Sequence, residues 1–255
     1  RSRRLVPLLH ADDSVTKEEA IDYALNVYDI LAEPWQAALK GALERHGDAH
    51  ADNADFNTVT EAILAWDGNF TPDSKGTPFY KNWRLKCGTS DKAEDNTVNV
   101  AAIAAGEALT EEDEVKLLQV LADTIAEMKE LYGTIDLTWG DTHKVGRGGV
   151  YFPAYGADFG ANTDGANFTE TLFDVRFEED KEEPGRFIAK NGTMSAMLMF
   201  FSEDGIESLS VTPWGQSNDP DSPHYMDQGE KLYTQRTMKP TWWTREELEG
   251  HIKSE

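Results

Sequence analysis

Apolar residues recur every three or four positions through the first half of the chain, which is the spacing of one helix face. The first such run follows a capping-box pattern, Thr16 with Glu19, and extends to Glu33-Pro34, where the proline is expected to end the helix. Its apolar positions are Ile21, Leu25, Tyr28 and Leu31. A second helix is predicted from Trp35 to Arg45, with Gly47 as its stop.

Three later segments of the first half are also predicted to be helical. The first has its apolar face at Val59, Ile63 and Trp66. It is expected to end at Asp67-Gly68. The second is a shorter helix from Phe79 to Lys86. Thr110 caps the third and longest helix, which Gly133 stops. The side chains of this helix predicted to face inward are Leu118, Leu121, Ile125, Met128 and Leu131.

The pattern changes to strands and loops in the second half of the chain. The segments predicted to be strands are Leu172 to Phe177, Phe187 to Lys190, Ser195 to Phe201 and Ile206 to Val211. A short amphipathic helix is predicted from Arg245 to His251. Helices followed by strands indicate an α+β fold rather than a doubly wound sheet. The predicted organisation is a helical region at 1–135, then a β-strand and loop region with a short C-terminal helix at 136–255.

The strong acidic charge narrows the range of partners. The 255 residues include 47 Asp and Glu against 24 Lys and Arg, a formal net charge of −23. Such a surface repels phosphate backbones and anionic lipid, so neither nucleic acid nor a membrane is an expected partner. The single cysteine, Cys87, excludes an internal disulfide. It is expected to be a small buried hydrophobe rather than a nucleophile.

One long loop carries the most distinctive residues of the chain. It runs V-T-P-W-G-Q-S-N-D-P-D-S-P-H-Y-M-D-Q from Val211 to Gln228, after the last predicted strand. Prolines and a glycine at close intervals argue against regular structure between Trp214 and Pro223. The loop nevertheless contains side chains suited to a packed, hydrogen-bonded surface: Trp214, Gln216, His224, Tyr225 and Gln228. Long ordered loops on a rigid scaffold are often functional.

The string G-Q-S-x-D-P-x-S-P-H-Y-x-D-Q, from Gly215 to Gln228, resembles the closing segment of the large (β) subunit of the penicillin acylase family. That family of N-terminal-nucleophile (Ntn) amidohydrolases includes penicillin, cephalosporin, acyl-homoserine-lactone and aculeacin-type acylases. Further segments resemble the same family: Leu64-Ala-Trp66-Asp-Gly68, Lys231-Leu-Tyr233, Met238-Lys-Pro240 and Thr244-Arg-Glu-Glu-Leu-Glu249. A string of this length with fixed Gly, Pro, His and Gln positions is far more specific than a short motif.

The resemblance implies that the chain is about the last half of an Ntn β subunit and part of an αββα sandwich. In this family the nucleophile is the first residue of the β subunit, usually Ser, and its own α-amino group can act as the base. Arg1 is no nucleophile because its guanidinium stays protonated. The chain also begins without methionine, as a fragment or processed subunit would. The nucleophile is therefore expected outside this chain, and some strand edges and apolar faces are expected to lack their cover.

Arg1 is the one residue that the resemblance places near the chemistry. In the family an arginine lies shortly after the oxyanion-hole asparagine and ahead of a threonine-capped helix. Arg1 precedes Thr16 in that way, with Arg3 and Arg4 in the same run. Its expected role is electrostatic, to orient polar groups of the active site or a substrate carboxylate through its planar fork. The alternative is a solvated terminal arginine.

Three other polar clusters each have a structural alternative. The first consists of His46, Asp48, His50, Asp52 and Asp55. These residue types suit zinc, but a solvated polar loop is the expected state of the stretch. Asp141 and His143 could orient each other as a base and its carboxylate, although a structural role at the start of the sheet is favoured. His224 and Tyr225 are expected to hydrogen-bond within their loop rather than act as a base.

Two functions fit these observations. The first is the C-terminal portion of an acylase large subunit, whose bacterial, periplasmic or secreted parent cleaves an acyl-amide bond such as that of a β-lactam side chain or an N-acyl-homoserine lactone. Its partners are then the α subunit, the N-terminal part of the β subunit and a small acyl-amide substrate. No cofactor or metal is expected in this segment, and a structural calcium would belong to the parent. The alternative is a non-catalytic binding module of the same ancestry, with its ligand at the loops from Tyr151 to Phe168.

Overall fold

The computed structural model describes residues 2–89, 96–160 and 167–252, and its helices lie mainly before residue 143. The helices are α1 (Ser2–His10), α2 (Lys17–Ala24), α3 (Ala32–His46), α4 (Ala54–Ala65), α5 (Thr77–Cys87), α6 (Val100–Ala105), α7 (Glu111–Tyr132), α8 (Trp139–Thr142), α9 (Asp227–Lys231) and α10 (Arg245–Glu249). The predicted α+β class is confirmed, because strands follow this helical part. None of the described helices is both long enough and apolar enough to cross a membrane.

The helix that Thr16 caps is real but shorter than predicted. The Thr16 hydroxyl accepts from the Glu19 backbone N–H, and the Glu19 carboxylate accepts from the Thr16 N–H at 2.8 Å, so the capping box is confirmed. The prediction that Glu33-Pro34 ends this helix is wrong, because α2 stops at Ala24 and Pro34 lies in the first turn of α3. Proline fits there since first-turn N–H groups have no partner within the helix.

The longest helix, α7, confirms its predicted caps but not all of its inward positions. The Thr110 hydroxyl accepts from the Asp113 N–H, and Gly133 ends the helix with a left-handed φ of 72°. Leu131, predicted to face inward, is 51% exposed, and the residue of the last turn that packs against the core is instead Tyr132. The short helix α6, capped by the Asn99 side chain, had no counterpart among the predicted elements.

The strands form two sheets within the described residues. The strands are β1 (His143–Arg147), β2 (Val150–Pro153), β3 (Asp158–Phe159), β4 (Thr169–Glu170), β5 (Val175–Glu179), β6 (Phe187–Gly192), β7 (Ala196–Ser202), β8 (Gly205–Val211) and β9 (Lys239–Pro240). The larger sheet has the order β2-β1-β6-β5-β3-β4, with β1 parallel to β6 and β3 parallel to β5. The smaller sheet, β7-β8-β9, is antiparallel, and the predicted loop from Trp214 to Pro223 contains neither helix nor strand.

Two clusters of buried apolar side chains support these elements. The larger cluster joins α3, α4, α5 and α7, and at its centre the rings of Trp35 and Trp83 meet edge to face with 5.1 Å between their centroids. Cys87 lies in this cluster, fully buried as predicted, and burial raises the pKa of its thiol. The smaller cluster lies between α2 and the strands, where Phe173 contacts Tyr233.

Candidate functional site

The loop after β8 is a compact structure held by its own backbone. The Gly215 N–H donates to the Tyr225 carbonyl at 2.9 Å, and the Ser217 N–H donates to the His224 carbonyl at 3.1 Å. These two bonds close the proline-containing segment between them. A Cβ atom at Gly215 would lie 1.7 Å from the His224 carbonyl oxygen, so this close approach requires glycine.

Arg147, at the end of β1, anchors this loop to the larger sheet. Its Nη2 donates to the carbonyls of Ser217 at 2.6 Å and Tyr225 at 3.0 Å, and its Nη1 donates to the Asn218 side chain at 3.3 Å. The guanidinium lies 4.2 Å from the ring centre of Tyr225 and 5.2 Å from that of Trp214. The planar fork therefore satisfies loop carbonyls while it packs on two rings.

His224 and Tyr225 hold the loop, as expected for these two residues. His224 Nδ1 lies 2.9 Å from the Asp227 carboxylate, and the Tyr225 N–H donates to the Ser222 carbonyl at 3.0 Å. His224 is largely exposed, while Asp227 begins α9. The pair thus connects the loop to the next helix.

Arg1, the predicted site residue, lies outside the described residues, so its role stays a prediction. Of the arginines beside it, Arg3 is exposed and Arg4 is half-buried. The Arg4 Nε donates to the Asn26 side chain at 3.4 Å, and its guanidinium lies 4.2 Å from the Tyr28 ring centre. Burial raises the pKa of Tyr28 to about 12, and its hydroxyl donates to Glu33 at 3.0 Å.

The polar stretch from His46 to Asp55 uses its side chains for contacts within the fold. His46 Nε2 lies 3.1 Å from the Glu114 carboxylate, His50 stacks on Phe56 with 4.4 Å between ring centres, and Asp55 pairs with Lys129. In the part of the chain that the structure describes, no group of three or more His, Cys, Asp or Glu side chains is arranged to hold a metal ion.

Asp141 and His143 do not orient each other, so that alternative is wrong. The Asp141 carboxylate accepts from the Thr138 N–H and hydroxyl, each at 2.8 Å, and caps α8. His143 contacts Thr142 through Nδ1 at 2.8 Å and Lys81 through Nε2 at 2.9 Å. The contact with Lys81 was not predicted, because α5 and β1 are far apart in sequence and each spacing pattern reports only its own element.

A buried ion pair between Asp29 and Arg84 was also missed by the sequence patterns. Arg84 Nη1 donates to the Asp29 carboxylate at 2.7 Å, and both side chains are at most 1% exposed. The Tyr80 hydroxyl donates to the same carboxylate at 2.9 Å, and the Thr169 hydroxyl donates to its other oxygen at 3.1 Å. Arg84 Nε donates to Asn167 at 2.9 Å. These bonds connect α5 to the edge of the larger sheet and leave the pair no access to substrate.

The glycine- and aromatic-rich segment proposed as a ligand site is described only in part. Residues 161–166 lie outside the described residues. On the described side, Gly156 donates its N–H to the Phe70 carbonyl at 3.0 Å, and the Thr171 N–H donates to the Ala157 carbonyl at 3.0 Å. The described part of this segment therefore packs against the helical core.

Comparison with known protein families identifies the family of this chain. The model of the penicillin amidase family matches residues 1–250, whereas no curated protein matches the chain. A thermostable penicillin G acylase from Alcaligenes faecalis, solved in an orthorhombic form, is similar over 98% of this chain and 50% of its own, with 15% identity and a TM-score of 0.47. This chain thus spans about half the length of that acylase chain. Because the family match covers nearly every residue, this protein belongs to the penicillin amidase family.

Proposed function

We propose that this chain is the C-terminal portion of the large subunit of an Ntn amidohydrolase, which cleaves an acyl-amide bond such as that of a β-lactam side chain or an N-acyl-homoserine lactone. The match of residues 1–250 to the penicillin amidase family carries this proposal. The parent enzyme is bacterial and acts in the periplasm or outside the cell.

The reaction in the parent begins with a nucleophile supplied by polypeptide outside residues 1–255. The N-terminal serine of the large subunit attacks the amide carbonyl, with its own α-amino group as the base, and the amine leaves. Water then hydrolyses the acyl-enzyme, and hydrogen-bond donors stabilise the oxyanion in both steps. This chain contributes the helical wall and outer strands, and Arg1 contributes electrostatic support.

The strand β7 supports a place for this chain within a larger enzyme. Its residues from Ala196 to Phe201 are apolar on both faces, the pattern of a strand buried on both sides. Towards α2, Phe200 lies under the ammonium of Lys17 at 5.5 Å. The opposite side, here called the outer face, consists of Met197, Met199, Phe201 and the facing Ile206, which are 47%, 44%, 74% and 50% exposed. We infer that the remainder of the acylase, its α subunit and the first part of its β subunit, covers the outer face.

Hydrolysis by the full-length gene product tests the proposed activity. The purified, processed enzyme is assayed against chromogenic acyl amides and acyl-homoserine lactones, beside a variant in which the serine at the start of the large subunit is alanine. Turnover by the enzyme and its loss in the alanine variant are expected. No turnover after confirmed processing would contradict the amidohydrolase assignment. Turnover by residues 1–255 alone would contradict the placement of the nucleophile outside this chain.

A further inference from the structure

Lys81 and His143 are two basic side chains that touch inside the protein. Lys81 Nζ lies 2.9 Å from His143 Nε2, and the two residues are 6% and 0% exposed. The lysine comes from α5 and the histidine from β1, so their contact joins the helical part to the larger sheet. Buried cations are normally paired with carboxylates. Here the amine is in hydrogen-bond contact with a second base.

The hydrogen bonds behind His143 indicate which of its nitrogens carries a proton. With the Thr142 hydroxyl donating to the Trp139 carbonyl at 3.2 Å, its oxygen accepts from His143 Nδ1–H at 2.8 Å. Nε2 is then an acceptor for an N–H of Lys81. The imidazole is stacked between Trp139 and Phe187, with 3.5 Å and 5.0 Å between ring centres, and these rings hold its orientation.

Two further ring contacts surround the pair. Phe177 meets the imidazole edge-on at 4.8 Å between ring centres, and Lys81 Nζ lies 3.9 Å from the centre of the Phe187 ring. A cation–π contact compensates the burial of an ammonium only in part.

The charged groups on the neighbouring elements give the amine little support. Glu179 on β5 attracts the amine, Lys144 on β1 repels a proton on His143, and Asp141 on α8 and Arg186 beside β6 act on Lys144. Asp141 is used as the cap of α8, and Arg186 pairs with Asp180 and Glu183. Burial lowers the pKa of Lys81 to about 7 against the opposing attraction of Glu179. Burial, and then the charge of Lys81, hold the pKa of His143 well below its usual value.

We propose that Lys81 and His143 form a site that holds a single proton. A proton held there weakens the packing contact between α5 and the larger sheet. Without the proton, a neutral amine donates to a neutral imidazole, and this site carries no buried charge. With it, a buried ammonium lies against the rings of Phe187 and Trp139 and is in hydrogen-bond contact with His143 Nε2. A buried charge without a carboxylate partner costs free energy, so the folded state is favoured when the site has released its proton.

The direction of the pH dependence follows from the proton count. In the unfolded chain the Lys81 amine keeps its proton up to about pH 10.4. In the folded protein it releases the proton near pH 7. Between these values the unfolded state binds more protons, so the free energy of unfolding rises with pH. Below this window both states are protonated at Lys81, and its contribution to the slope disappears.

Urea unfolding of the full-length gene product from about pH 6 to about pH 9.5 tests the site. Lys81→Met keeps the apolar stem and removes the amine. The wild-type midpoint is expected to rise across this range more steeply than the midpoint of the variant, and the variant should be the more stable of the two at the acid end. Lys86→Met, at a more exposed lysine of the same helix, should keep the wild-type slope. Equal slopes for wild type and Lys81→Met would overturn the proposal.

A second measurement does not depend on the folding of any variant. The enzyme is labelled with ¹³C at lysine Cε, and the Lys81 signal, assigned by through-bond correlation to its backbone, is titrated. A midpoint near pH 7 supports the single-proton site. A midpoint above about pH 10, the ordinary value for lysine, overturns it.

Discussion

The guanidinium of Arg147 donates a hydrogen bond of 3.0 Å to the backbone carbonyl of Tyr225 and lies 4.2 Å from the centre of that residue's ring. The same Nη2 atom also donates to the carbonyl of Ser217. One side chain at the end of β1 therefore ties together the two arms of the loop that resembles the penicillin acylases. Because the planar guanidinium donates to the loop carbonyls while it packs on the Tyr225 ring, we expect lysine to be a poor substitute.

Arg147→Lys should open the loop while it preserves the charge. The free energy of unfolding should fall by about 1–3 kcal/mol, because loop carbonyls lose charged hydrogen bonds. Amide hydrogen exchange at Gly215 and Ser217 should become faster, since their N–H groups donate across the same two arms. Arg245→Lys is the matched control, because Arg245 makes an exposed pair with Glu249. Unchanged exchange at Gly215 and Ser217 would show that Arg147 does not hold the loop.

Removal of the charge of Asp29 should destabilise the packing contact between α5 and the larger sheet. Asp29→Asn keeps the shape of the side chain but leaves the Arg84 guanidinium buried without its counter-charge. A loss of about 3–5 kcal/mol in the free energy of unfolding is expected, measured by urea titration. Replacement of both partners, Asp29→Leu with Arg84→Met, should cost less than the single change because no charge then stays buried. A single change that costs under about 1 kcal/mol would contradict this account.

Local signals predicted much of the fold because capping and periodicity act within one element. Thr16 with Glu19 and Thr110 with Asp113 mark helix starts through bonds that span three residues, and both starts are confirmed. The prediction that this helix ends at Pro34 was wrong because proline fits the first turn of one helix as well as the end of another. The inward position of Leu131 was predicted wrongly because the positions three and four residues after Met128 both fit helical spacing, and Tyr132 occupies the packed one.

The polar contacts inside the protein could not be predicted in the same way. Arg84 meets Asp29, and Lys81 meets His143, only after separate elements have packed together. The sequence shows that these residues are polar, whereas their burial depends on the tertiary arrangement. The loop from Gly215 to Gln228 was recognised because its residues lie in one continuous segment, but its anchor, Arg147, comes from a different strand.

Glu114 should make the stability of the helical part sensitive to acid. Its carboxylate accepts from Arg45 Nε at 2.8 Å and lies 3.1 Å from His46 Nε2. The hydrogen bond from Arg45 is the main cause of the lowered pKa of Glu114. A lowered pKa means that the pair stabilises the fold above the unfolded value of about 4.3, and that this contribution is lost as the pH falls through the folded pKa. Glu114→Gln should therefore lower the urea midpoint at neutral pH and have little effect near pH 3. An equal difference at both pH values would contradict the ionic role of Glu114.

The outer face of β7 and β8 provides a test of the larger enzyme that is independent of its catalysis. Met199 is 44% exposed in this chain, and on the proposed arrangement the remainder of the acylase buries it. Met199→Lys in the full-length gene product should then place an unpaired charge in an apolar contact, at a cost of about 3 kcal/mol or more. The lower unfolding midpoint should be accompanied by a lower yield of processed enzyme. Val115→Lys is the matched control, because Val115 is 50% exposed on α7, and it should change neither quantity. If both variants behave like wild type while the enzyme still hydrolyses amides, the outer face is not the docking surface, although the proposed activity stands.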